Sequence, residues 1–173
     1  MKLLTAALFS LGLTACATPG VEHYKAEQPS LDLKNYLNGT LEAWGMFQGR
    51  SGEVKKRFHV LIDARWEGDS GVLDEHFNWS DGTTSRRVWT LRREADGTYR
   101  GTADDVIGEA LGELSGNALR WRYVLALPVD GKTWNVDFDD WMFLMDEKVM
   151  MNRSTMSKWG INLGEVTLTF VKR

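Results

Sequence analysis

The stretch LRWRYVLALPVDG, Leu119 to Gly131, places Leu119, Trp121, Tyr123, Leu125 and Leu127 at every second position. Successive side chains of an extended chain point to opposite faces, so five matches in a row to a period of two argue a half-buried β-strand. The Asp130-Gly131 pair that ends the run is a hairpin signal.

The same pattern recurs on both sides. Phe58, Val60, Ile62 and Ala64 alternate with polar or charged residues, apart from Leu61. Leu73, Glu75, Phe77 and Trp79 form one face of the next segment, with Glu75 as its defect. Val166, Leu168 and Phe170 close the chain against Glu165, Thr167, Thr169 and Val171. Asp81-Gly82, Asp96-Gly97 and Gly116-Asn117 supply turns between runs. No helical period competes, except a short turn at LDLKNYL (31–37) behind Pro29-Ser30. The pattern predicts an all-β fold: a single antiparallel up-and-down, lipocalin-like barrel of about 8–10 strands, with a short N-terminal helical turn. The Gly-x-Trp of a lipocalin first strand is absent, since Trp44 lies in GTLEAWG.

The N-terminal residues bear on location. MKLLTAALFSLGLTAC opens with Lys2, continues through a mostly apolar run to Leu13, and reaches Cys16, the only cysteine. This layout is a signal peptide over 1–15, too short to span a bilayer. Leu13-Thr14-Ala15-Cys16 resembles the lipobox of bacterial lipoproteins, which implies lipidation of Cys16, the several acyl chains that such a cysteine carries, and a membrane anchor. At about 0.8 kcal/mol per buried methylene, several chains hold firmly where one is marginal. Ala17, where an aspartate would retain a lipoprotein at the inner membrane, implies the periplasmic face of the outer membrane. Residues 16–34 are expected to be the lipidated cysteine and a polar tether, and 35–173 the barrel domain.

Several chemistries are disfavoured. A single cysteine rules out an internal disulfide or a thiolate cluster. Loss of Lys2 with the signal shifts the net charge from −3 to −4, and no basic stripe interleaved with aromatics suggests nucleic acid. Arg86-Arg87 and Arg92-Arg93 read as a solvated strand face. Gly68-Asp69-Ser70-Gly71 spells a serine-protease nucleophile motif, but it sits between two strands as a hairpin turn, with only His59 and Asp63 nearby.

The segment FDDWMFLMDEKVMMNRSTMSKWG (138–160) holds five of the seven methionines. Thioethers suit copper(I), but in a strand Met142 and Met145 point apart, as do Met150 and Met151. His23, His59 and His76 are scattered, so no metal and no cofactor is expected. Together with NGTLEAWGMFQGRSG (38–52) and YRGTADDVIGEALGELSGNALRWRY (99–123), this segment resembles a family of Gram-negative lipoproteins known as domain of unknown function 3833. The resemblance spans roughly 35–172 and implies a lipoprotein with a lipocalin-like domain; it implies no activity.

Trp141-Met142-Phe143-Leu144-Met145 is apolar on both faces, so this strand is expected to be buried inside the barrel and covered outside, by the segment around Tyr36-Leu37, a partner or membrane. Methionine adapts to flexible chains and tryptophan adds rigid area. The expected lining of an apolar pocket is Trp121, Tyr123, Phe138, Trp141, Phe143 and Met145; the expected polar mouth is Asp140, Arg153 and Lys158. Paired carboxylates such as Asp104-Asp105 and Asp139-Asp140 offer at most one inward group each. Three function classes follow. A hollow barrel without converging polar groups would bind a hydrophobic, fatty-acyl-like molecule; a buried carboxylate–arginine pair beside the cavity would favour an enzyme acting on lipid-derived substrates near Asp140 and Arg153; a solid barrel would favour a scaffold that docks a protein. Binding without catalysis is the reading preferred.

Overall fold

A computed structural model describes residues 19–129 and 131–173; Cys16, the stretch expected to be a signal peptide and Asp130 lie outside them. Ten antiparallel strands run in chain order around a closed barrel. They are β1 (Gly39–Gly49), β2 (Val54–Glu67), β3 (Ser70–Trp79), β4 (Thr84–Arg93), β5 (Tyr99–Thr102), β6 (Val106–Ser115), β7 (Ala118–Val129), β8 (Lys132–Leu144), β9 (Val149–Lys158) and β10 (Ile161–Lys172). The last strand returns to the first, in a register from Leu41 opposite Lys172 to Gly49 opposite Gly164. Closure leaves no unpaired sheet edge, as the up-and-down pattern of hairpins predicts.

Alternation sorts the side chains. On β7, Leu119, Trp121, Tyr123, Leu125 and Leu127 point inward, and on β8 the inward set is Val136, Phe138, Asp140, Met142 and Leu144. Glycines make room for the largest ring. The Trp121 indole lies over Gly101 and Gly112, where a Cβ at either position would come within 2.5 Å of it. Small residues on two neighbouring strands thus hold a tryptophan flat against the wall.

One end of the barrel is plugged. The expected helical turn forms as α1 (Leu33–Tyr36), capped by Asp32, whose carboxylate accepts from the Asn35 N–H at 3.1 Å. Its neighbours Leu31 and Leu37, with Leu33 and Tyr36, join Leu41, Leu73, Leu119, Leu144, Met150 and Phe170 in the main core. The Tyr36 hydroxyl donates to the Lys148 carbonyl at 3.0 Å, and the Trp66 indole N–H donates to the Leu37 carbonyl at 2.7 Å. These bonds satisfy polar groups that the plug would otherwise bury unpaired.

The segment ahead of the plug is packed too. Val21–Tyr24 forms a 3-10 turn, and the Tyr24 ring meets Phe143 edge-on at 5.0 Å and Trp141 at 5.8 Å on the outer face of β8. Gly116, at φ +56°, sits so close to the Tyr24 carbonyl that a Cβ there would lie 1.8 Å from its oxygen. The Gly116 carbonyl accepts from the Leu31 N–H at 2.8 Å. Of the stretch expected to be a tether, residues from Val21 on are therefore part of the folded body. The outside of the two-sided apolar strand is covered by Tyr24 rather than by Tyr36 and Leu37, which enter the barrel.

Candidate functional site

Above the plug the interior is hollow. The cavity has a volume of about 710 Å³, within the range of pockets that enclose a small molecule. Burial falls toward the other end. On β1 and β2, Leu41, Ala43, Val60 and Ile62 are buried, whereas Phe47, Phe58 and Lys56 are only partly covered. The mouth therefore lies among the β1–β2, β3–β4, β5–β6, β7–β8 and β9–β10 hairpins, opposite α1.

Aromatic rings dominate the wall. Tyr123 and Phe138 stack at 5.0 Å, Trp89 meets Tyr123 and Trp121 edge-on at 5.4 and 5.8 Å, and Phe77 stacks on Trp79 at 5.4 Å nearer the mouth. Edge-on and offset pairs suit the ring quadrupoles and stiffen the wall.

A polar belt crosses this apolar interior. On one side Glu75 of β3 stands directly opposite Arg87 of β4. Arg87 donates from Nε and Nη2 to Asp105, in the β5–β6 turn, at 2.7–3.0 Å. Its Nη1 lies 4.0 Å from Glu75 Oε2. The Glu75 side chain is 12% exposed, and among the described residues no group hydrogen-bonds its enclosed Oε2. On the other side Asp140 of β8 accepts from the Ser154 hydroxyl and from the Tyr123 hydroxyl, the latter at 3.3 Å. Ser154 and Asn152 are buried beside it on β9.

The electrostatics follow from burial. Desolvation pushes the Glu75 carboxyl up to about 7; Arg87 opposes the shift, and Asp105 and Asp140 add to it. Desolvation raises Asp140 to about 6 against the hydrogen bonds from Ser154, Tyr123 and Asn152, with Asp139 pushing further upward. The Tyr123 hydroxyl is held well above its ordinary range, by burial first and by the Asp140 charge second. Two carboxyls that titrate near neutrality facing one cavity form a functional-site pattern.

The structure divides the expected pocket by strand parity. Trp121, Tyr123 and Phe138 line the cavity. Trp141, Phe143 and Met145 do not: on β8 the even-numbered residues point inward, so Trp141 and Phe143 lie outside under Tyr24. Met145, just past the strand, is 54% exposed. Met142, on the inward set, takes their place. The expected polar mouth is not assembled either. Asp140 is buried inside, but it is Ser154 that stands opposite it, while Arg153 stands opposite the outward Trp141. Arg153 is paired outside with Glu165 at 2.6 Å, and Lys158 donates to the Asn135 carbonyl at 2.9 Å between the rings of Trp134 and Trp159.

Glu75, Arg87 and Asp105 carry the belt instead. Glu75 was visible as the lone charge on the Leu73–Trp79 face, and Arg87 shares its parity with Trp89 and Leu91. Reading Arg86-Arg87 as one solvated pair hides this: Arg86 faces out to Asp74 at 2.7 Å, whereas Arg87 faces in.

A closed up-and-down barrel around one apolar cavity, crossed by a buried polar belt, defines the class. The chain belongs to the family described as protein of unknown function (DUF3833), whose profile matches residues 10–172. No match is found among curated proteins. Among solved structures, the S-type phycobiliprotein lyase CPES from Guillardia theta is similar over 90% of this chain and 98% of its own, with a TM-score of 0.65 and 8% identity. That likeness is one of fold. A de novo designed fluorescence-activating β-barrel matches 83% of this chain and 99% of its own, with a TM-score of 0.45 and 12% identity.

Proposed function

We propose that the protein holds one hydrophobic, acyl-like molecule inside its barrel while anchored through a lipidated Cys16 at the periplasmic face of the outer membrane. The observation that carries the binding part is the hollow interior of about 710 Å³, walled by Trp89, Trp121, Tyr123 and Phe138, with Leu33 and Leu37 of the α1 segment across one end. Ten strands leave more room than the eight of a side-chain-filled barrel. The anchor rests on Leu13-Thr14-Ala15-Cys16, which falls inside the region matched to the family. Among the described residues packing begins at Val21, soon after Cys16 in sequence, so an anchor at Cys16 would hold the barrel close to the membrane.

A second reading is favoured by one observation. Glu75 and Arg87 are a part-buried carboxylate–arginine pair beside the cavity, and Asp140 is a second carboxyl that titrates near neutrality. Such groups suit general acid–base chemistry on a lipid-derived substrate. The same fold serves a protein named as a lyase. The mutual satisfaction of Arg87 with Asp105, and of Asp140 with Ser154 and Tyr123, favours a binding wall over a reacting one.

Both parts are tested on protein purified from its own membranes. Native mass spectrometry followed by lipid extraction should recover one apolar molecule per barrel, unaltered on prolonged incubation. An empty barrel that also fails to displace a fluorescent hydrophobic probe overturns the binding reading, and recovery of a converted molecule selects the enzyme. Labelled palmitate should enter the wild-type chain and not the Cys16→Ala chain; equal labelling of both removes the anchor.

A further inference from the structure

The belt inside the cavity constrains the polar end of whatever the cavity holds. Three carboxyl groups, Glu75, Asp105 and Asp140, line the interior or its rim with Arg87, while the other two cations of the lining, Lys56 and Arg86, are paired with Asp81 and Asp74. Arg87 is already committed: its Nε and Nη2 bond Asp105, and only Nη1 remains turned toward Glu75 at 4.0 Å. Asp140 receives the Ser154 and Tyr123 hydroxyls, so its acceptor capacity is largely met within the wall. Glu75 Oε2 is the exception. It is enclosed by protein, it borders the cavity, and among the described residues nothing donates to it.

An enclosed acceptor without a donor is costly, of order 1–3 kcal/mol, and a donor brought by a ligand removes that cost. A ligand carboxylate would do the reverse. It would bring a further negative charge beside Glu75, Asp105 and Asp140, where Arg87 is already committed to Asp105, in an interior where charge is poorly screened. Resting on the binding reading above, we infer that the bound amphiphile carries a hydrogen-bond-donating head that is neutral or cationic, an amide, alcohol or amine, which donates to Glu75, and that the site discriminates against free fatty-acid anions. The tail then lies along Phe138, Met142 and Leu168, and the head sits midway up the barrel.

The test uses the purified full chain. Dodecylamine, dodecanamide, dodecanol, methyl dodecanoate and dodecanoate share one tail and differ only at the head. Each is titrated at about pH 8, above the value of about 7 to which burial raises Glu75, so that its carboxylate is an acceptor, by tryptophan fluorescence and checked by native mass spectrometry. The donors should bind about tenfold more tightly than the ester and the carboxylate, the scale of one hydrogen bond to a charged group. Glu75→Gln, which keeps the shape and offers a donor of its own, should erase the preference over the carboxylate while binding the ester at least as well. If all five bind equally, or dodecanoate binds best, the head-group inference is wrong and the binding reading stands. Should none bind, the binding reading itself falls. A preference for donors that persists unchanged in Glu75→Gln removes Glu75 as the acceptor.

Discussion

Glu75 and Arg87 face each other across β3 and β4, yet their charged atoms stay 4.0 Å apart because Asp105 grips the guanidinium by its Nε and Nη2 edge. The arginine thus bridges a carboxylate at the mouth and one deep in the wall. Removing it leaves Glu75, only 12% exposed, without the cation that faces it. Arg87→Met should cost about 2–3 kcal/mol, since one partner of a largely covered charged pair is lost. In a Glu75→Gln background the same change should cost less, because the stranded carboxylate is already gone. Urea midpoints of the four proteins in this cycle measure the coupling. Additive losses would show that Glu75 and Arg87 do not interact.

The raised carboxyls also set a pH dependence. In the folded barrel Glu75 keeps its proton up to about pH 7 and Asp140 up to about pH 6, whereas their ordinary values are 4.5 and 3.8. Between those limits the folded state binds more protons than the unfolded chain. Stability from these groups is therefore full below the ordinary values and is lost as pH rises through 6 and 7. Each group contributes a slope of at most about 1.4 kcal/mol per pH unit. The Tm should fall from about pH 5 to about pH 8, and Glu75→Gln should flatten the upper part of the fall. A Tm that rises across this window, or a mutant with the wild-type slope, would contradict the burial of Glu75.

Tyr24 ties the N-terminal segment to the outer wall through edge contacts with Trp141 and Phe143, and Gly116 gives its carbonyl room. Tyr24→Ala should cost about 1–2 kcal/mol, from lost aromatic contacts and lost burial. Gly116→Ala should unseat the same segment, since its Cβ would collide with backbone. In both variants the emission of Trp141 should shift to the red and proteolysis near residue 30 should quicken. If neither variant changes protection there, the segment is not held by this contact.

The barrel was legible because alternation survives in nearly every strand, and a period of two allows only one assignment where one face is polar. Strand β8 defeats that logic. From Phe138 to Leu144 both faces are largely apolar, the inward one against the cavity and the outward one beneath Tyr24, so alternation separates the two sets without saying which is inside. The covering residue is far away in sequence and belongs to a stretch whose polarity suggests a tether. Glu75 showed itself as a charge on an apolar face. Its neighbours could not be read the same way, because Asp105 reaches Arg87 from the turn after the next strand, and no spacing rule connects that turn to β4.

Parity on β8 gives the most direct check of where the cavity lies. Met142 borders it, whereas Met145 is 54% exposed beyond the end of the strand. Met142→Lys places an ammonium among the apolar side chains of the interior. It should lower the affinity for a hydrophobic probe by more than tenfold and destabilise the barrel by about 1–3 kcal/mol, the cost of burying an imperfectly paired polar group. Met142→Leu, similar in volume and equally apolar, should restore both to near wild type. Met145→Lys should leave stability within about 0.5 kcal/mol and binding unchanged, as an exposed substitution does. Probe titration and urea midpoints on the three variants decide the matter. Loss of binding in Met145→Lys with retention in Met142→Lys would reverse the inward and outward faces of β8 and, with them, the placement of Asp140 inside the barrel.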